Sequence, residues 1–169
     1  MSIPVLSLAA WSGTGKTTFL EKLIPALKRR GLRVAVLKHD GHQFDMDREG
    51  KDTWRMTQAG ADVTAIFSDS RAAILENRPL TAADMVARIR DVDLILLEGM
   101  KTGPWPKLAL YRADSGKPLP LPAADCLAVV SDRPVAGATH TYNLEDAEGV
   151  AAFILAWLAS GAGGAAPAQ

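Results

Sequence analysis

The stretch Ala10-Trp11-Ser12-Gly13-Thr14-Gly15-Lys16-Thr17-Thr18 limits what this chain can fold into more than any other. It follows the apolar run Val5-Leu6-Ser7-Leu8-Ala9, which reads as a buried strand. It precedes Phe19, Leu20, Leu23, Ile24 and Leu27, which are spaced to line one face of a helix. Strand, glycine-rich loop, Gly-Lys-Thr and helix in that order form a P-loop. Gly13 and Gly15 let the backbone curl with its amides inward, and the positive end of the helix backs them. Ser12, Gly13, Thr14, Gly15, Lys16, Thr17 and Thr18 are therefore the candidate phosphate-binding residues. Lys16 is expected at the β- and γ-phosphates, with the Thr17 hydroxyl on Mg²⁺. Ala10 stands where a glycine is usual, which is acceptable only if the backbone there stays out of the left-handed region.

With 169 residues, 48% of them hydrophobic, the chain suits one nucleotide-binding domain over residues 1–160, followed by a low-complexity tail, 161–169. Nineteen basic and nineteen acidic residues cancel, so no overall positive field points to nucleic acid. The start lacks a signal-like segment and no apolar run is long enough to span a bilayer, so a soluble cytoplasmic protein is expected. The one cysteine, Cys126, lies in the apolar run Cys126-Leu127-Ala128-Val129-Val130, where a buried strand residue is expected rather than a nucleophile.

The first helix is expected over Lys16–Arg30, bent near Glu21 by Pro25, with Gly31 stopping it. Arg33–Lys38 reads as a second strand, and the crossover helix between two strands implies parallel pairing. The fold class that follows is α/β: a P-loop NTPase-type three-layer fold with a mostly parallel central sheet and helices on both faces. Beyond the second strand, His39, Asp40, Gly41 and His42 sit in a polar loop at the carboxyl edge, where ligands bind in open parallel sheets. Asp52 is expected to cap a short helix ending at Gly60. Val63–Phe67 and Arg71–Leu75 form a hairpin joined by Ser68-Asp69-Ser70, and Thr81 with Asp84 makes a capping box. Asp93–Glu98 is a continuous apolar strand ending in a carboxylate, as a Walker B strand does. A strand near Lys107–Arg112, a proline-rich loop over 115–122 and a final helix through Val150, Phe153, Ile154, Trp157 and Leu158 complete the chain.

The P-loop, the His39/His42 loop, Gly50-Lys51-Asp52-Thr53-Trp54-Arg55 and Leu97-Glu98-Gly99-Met100-Lys101 with Pro106-Lys107 together resemble the MobB family, the adaptor proteins of molybdopterin-guanine dinucleotide biosynthesis. The resemblance runs from about Val5 to Leu158 and leaves the tail outside. It implies a homodimeric GTP-binding protein with weak GTPase activity. Such a protein assists the nucleotidyltransferase that attaches GMP to molybdenum cofactor and works among other cofactor-biosynthesis proteins.

Glu98 is the candidate Mg²⁺ ligand, because a hard dication prefers carboxylate, hydroxyl and phosphate oxygens. Asp40 is a second candidate for ordering Mg²⁺ or its water, and His39 for positioning a nucleophile. Lys51 and Arg55, in a segment the resemblance marks as functional, would clamp phosphate, and Lys101 and Lys107 would extend the anionic crevice. No Asn-Lys-x-Asp guanine signature is present; Asp132 is the nearest substitute, able to accept from both guanine N1–H and its exocyclic amine. Two other readings stand beside this one. A P-loop small-molecule kinase needs an arginine-rich lid, whereas the arginines here are scattered. A metallochaperone-type GTPase would use the His39/His42 loop.

Overall fold

The computed structural model describes residues 2–41 and 44–161. They divide into two compact units, 2–39 with 86–161, and 40–41 with 44–85. The larger unit is built on a six-stranded sheet of β1 (Val5–Ala9), β2 (Val34–Lys38), β5 (Leu94–Glu98), β6 (Lys107–Tyr111), β7 (Ala128–Ser131) and β8 (Thr141–Asn143). The strands lie in the order β2-β5-β1-β6-β7-β8, and every neighbouring pair is parallel. β1 is central: the chain leaves it for β2 on one side, returns to β5 and then crosses to β6 on its other side, so the crevice of this sheet opens at the carboxyl end of β1.

Alternation along the strands gives the sheet two apolar faces. Leu6, Leu8, Leu94, Leu96, Leu108 and Leu110 form one. They are covered by Phe19, Leu20, Leu23 and Leu27 of α1 (Lys16–Arg29) and by Val150, Ile154 and Trp157 of α4 (Ala147–Ala159). On the other face, Val5, Ile95 and Leu97 pack under Val86 and Ile89 at the end of α3 (Ala82–Arg88), while Ala109 and Val129 pack under Leu119, Leu121 and Cys126. The second face is thus closed partly by a helix and partly by the proline-rich segment. Lys22 pairs with Glu145 beside α4, and Arg29 and Arg30 with Glu148 on it, so those arginines tie two helices together.

α1 runs through Pro25, which faces solvent, where water can take up the Glu21 carbonyl that a proline cannot serve. Cys126 is buried as expected but precedes β7 by two residues, its thiol aimed at the Pro122 carbonyl at 3.5 Å; burial pushes the thiol pKa up. β8 carried no sequence signal, being three residues with neither alternation nor an apolar run.

The smaller unit holds α2 (Asp52–Gln58) and an antiparallel hairpin of β3 (Val63–Ser68) and β4 (Arg71–Glu76), in register from Val63 opposite Glu76 to Ser68 opposite Arg71. Its turn is shorter than expected, because Ser68 is paired and only Asp69 and Ser70 are left to cross over. Lys51, not Asp52, occupies the N-cap of α2, and Asp52 is the first helical residue, where its charge still opposes the positive helix end. Thr81 and Asp84 form the expected capping box at α3, the Thr81 amide donating to Asp84 Oδ2 (2.8 Å) and the Asp84 amide to Thr81 Oγ1 (3.1 Å). Two strands and a short helix cannot bury all their apolar side chains. Phe67 is 84% exposed and Ile74 67%, with Val63, Ile66 and Met56 exposed as well.

His42 and residues 162–169 lie outside the described residues. Among the described residues no helix is long and apolar enough to cross a membrane.

Candidate functional site

The chain leaves β1 at Ala9 and turns through Ala10, whose φ is not positive. This is the condition under which alanine can replace the usual glycine. Gly13 and Gly15 do occupy the left-handed region, at φ 80° and 96°, and Gly15 is the N-cap of α1. α1 begins with neither a side-chain cap nor an acidic residue in its first turn. The first amides and the positive end of the dipole therefore face the loop unopposed, which suits an anion. Thr17 and Thr18 are exposed in that first turn, whereas Thr14 is buried and anchors the loop through its amide to the Trp11 carbonyl (3.3 Å).

Lys16 donates to the Trp11 carbonyl at 3.1 Å. Burial pushes the pKa of its ammonium below the ordinary 10.5; the Glu98 carboxylate opposes this, and the charges of Lys101, Lys117 and Lys38 add to it. Desolvation and crowding by like charge leave this ammonium favouring an anionic partner. The Lys101 ammonium sits over the Trp11 ring, 3.2 Å from the centroid. Trp11 donates from Nε1 to the Pro118 carbonyl (2.8 Å), and Lys117 donates to the Ser12 carbonyl (2.8 Å). The segment after β6 is thereby strapped to the P-loop, a role that its prolines and glycine conceal in the sequence.

Glu98 ends β5 in register with Leu8 of β1 and Lys38 of β2, and is 8% exposed. Its carboxylate accepts no hydrogen bond among the described residues, and its oxygens are not shut off from solvent. An acid so placed, close enough to raise the pKa of Lys16, has free lone pairs for a hard cation or its waters. The turn after it is fixed: the His39 amide donates to the Glu98 carbonyl (2.8 Å), and Ser7 Oγ to the Met100 carbonyl (2.8 Å).

The structure brings Ser12–Thr18, Glu98 and Lys101 to one edge. His39 joins them through the backbone bond to Glu98, its side chain exposed. Asp132, just past β7, accepts from the Ala113 amide (2.9 Å) and the Ser131 hydroxyl (3.4 Å). The Ala113 amide first, then lesser hydrogen bonds and the charge of Arg112, hold its carboxyl below the usual range despite some desolvation. Lys107 spends its ammonium on the carbonyls of Gly103 (2.6 Å) and Trp105 (2.9 Å), closing its own loop instead of lining the crevice. Asp40, Lys51 and Arg55 belong to the smaller unit, where Lys51 and Arg55 are exposed and one helical turn apart. Among the described residues no group of three His, Cys, Asp or Glu side chains could hold a metal ion. Arg112 went unnoticed in the sequence, yet it lies beside Gly15: one terminal guanidinium nitrogen is 3.8 Å from where a β-carbon on that glycine would be.

Residues 5–132 match the MobB family, described as molybdopterin guanine dinucleotide synthesis protein B. The molybdopterin-guanine dinucleotide biosynthesis adapter protein of Haemophilus influenzae is 41% identical over 92% of this chain and 90% of its own length. The adapter protein of the same name from Escherichia coli is 40% identical over 92% and 94%. The crystal structure of Bacillus subtilis MobB superposes with a TM-score of 0.73 at 25% identity, covering 91% of this chain and 97% of that one.

Proposed function

The chain belongs to the MobB family, and we propose that it binds GTP with Mg²⁺ as a cytoplasmic adapter, assisting the nucleotidyltransferase that attaches GMP to molybdopterin, with at most slow hydrolysis of its own. One observation carries the nucleotide part. The uncapped N-terminus of α1, the left-handed Gly13 and Gly15 and the desolvated Lys16 converge on one edge with Glu98. Ser12–Thr18 would cradle the phosphates, and Thr17 and Glu98 would hold Mg²⁺, which supplies charge neutralisation at the phosphate oxygens. Asp132 would read the guanine edge with lone pairs not engaged by Ala113 and Ser131. His39 would position a nucleophile at the end of β2, and the smaller unit would offer Asp40 to metal and Lys51 and Arg55 to phosphate. A homodimer fits the exposed Val63, Ile66, Phe67 and Ile74 of the hairpin, since apolar side chains gathered on one small unit call for a partner surface.

The test combines calorimetric titration of GTP and ATP in the presence of Mg²⁺ with an assay of GMP transfer to molybdopterin by the pathway's nucleotidyltransferase, with and without this chain. GTP binding and a faster transfer that Lys16→Ala removes are expected. Absence of both would overturn the reading.

A further inference from the structure

We propose that Arg112 is a phosphate ligand of the bound nucleotide, supplied from outside the P-loop by the turn that follows β6. The proposal rests on the nucleotide reading given above and adds to it a cation that the motif does not contain.

Lys16 is held by the Trp11 carbonyl, Lys117 by the Ser12 carbonyl and Lys101 by the Trp11 ring. Arg112 differs. It is exposed, its guanidinium makes no hydrogen bond or ion pair among the described residues, and its charge is felt at Asp132 and Glu145. A guanidinium carries five donors in a planar fork that matches phosphate oxygens, and here none of them is spent on a described residue, beside Gly15, the residue that opens α1.

Its backbone is not free to wander. β6 pairs with β1 from Ser7 opposite Lys107 to Ala9 opposite Ala109, which fixes where Arg112 leaves the sheet. Ala113 is tied to Asp132 Oδ1 at the end of β7, and Lys117 and Pro118 to Ser12 and the Trp11 indole, so the turn bearing Arg112 is anchored to the sheet on one side and to the P-loop on the other. An immobile backbone with an unengaged, multiply donating side chain next to an anion cradle limits the entropy lost on binding. The competing role is charge balance against Asp132 and Glu145, which would appear in stability and not in affinity.

The test titrates the whole chain and its Arg112→Ala, Arg112→Lys and Lys16→Ala variants with GTP and with tripolyphosphate, which has the charge but no base, and records melting temperatures. Arg112→Ala is expected to weaken both ligands roughly tenfold or more with the melting temperature unchanged, and Arg112→Lys to recover part of the loss. Wild-type affinity for both ligands in Arg112→Ala, or a loss for GTP alone, would overturn the assignment. If Lys16→Ala loses binding while Arg112→Ala keeps it, only the role of Arg112 fails. Should the unaltered chain bind neither ligand, the nucleotide reading fails and this proposal falls with it.

Discussion

The carbonyl oxygen of His39 lies 2.2 Å from where a β-carbon on Gly99 would be, so the ends of β2 and β5 touch at a point that only glycine permits. Gly99 also has φ +97°, strained for any L side chain. Its neighbour Glu98 takes the His39 amide, so the contact sets the turn carrying the carboxylate. Gly99→Ala must push the strands apart or twist the turn, and is expected to cost about 2–4 kcal/mol in urea denaturation. A loss below about 0.5 kcal/mol would mean that the strand ends part freely.

Lys16→Ala is expected to abolish triphosphate binding and leave the melting temperature nearly unchanged, since its ammonium is hydrogen-bonded to a loop carbonyl and lies outside the apolar core. The pH dependence has a definite sign. Burial above all depresses the pKa of Lys16 below 10.5, and a bound polyanion would raise it again. Affinity is then complete below the depressed pKa and falls as pH rises through it, earlier than for an exposed lysine. Calorimetric affinities taken toward alkaline pH check this. A profile that stays flat up to the ordinary lysine range would separate Lys16 from the phosphates.

The P-loop was legible because its chemistry is local: glycines, a lysine and a helix signal follow one another along the chain. Leu94–Glu98 was legible for the same reason, as a run too apolar to lie anywhere but mid-sheet. The strap was not. Arg112, Lys117 and Pro118 meet the P-loop through separations of about a hundred residues, and only the β1–β6 pairing brings them together. β8 was missed because its position comes from pairing with β7, not from its own pattern. For Asp132, residue type suggested guanine recognition, whereas geometry adds a second duty, holding the Ala113 amide.

These two duties can be separated. Asp132→Asn keeps an acceptor for Ala113 and removes the charge, so it should weaken GTP more than ATP, roughly tenfold, because only guanine offers two donors to that carboxylate. Asp132→Ala removes the anchor too and should weaken both nucleotides. Titration of each variant with each nucleotide decides the matter. If Asp132→Asn binds both as the unaltered chain does while Asp132→Ala weakens both equally, Asp132 serves the turn alone and the base is read elsewhere.

Glu98 is 8% exposed as a residue, yet its carboxylate makes no hydrogen bond among the described residues and its oxygens are not shut off from solvent. Replacing it with glutamine therefore breaks no hydrogen bond that holds the fold. Glu98→Gln should leave the melting temperature nearly unchanged. The same change removes the charge that a hard cation requires, so Mg²⁺-dependent GTP hydrolysis, slow to begin with, should fall much further than GTP binding measured with chelator present. The two results together identify a residue that serves the metal and not the fold. Turnover, metal-free affinity and melting temperature on the same preparations provide the check. A Glu98→Gln protein that melts lower yet hydrolyses GTP at the unaltered rate, with the same Mg²⁺ dependence, would make Glu98 a structural acid and leave Asp40 as the metal candidate.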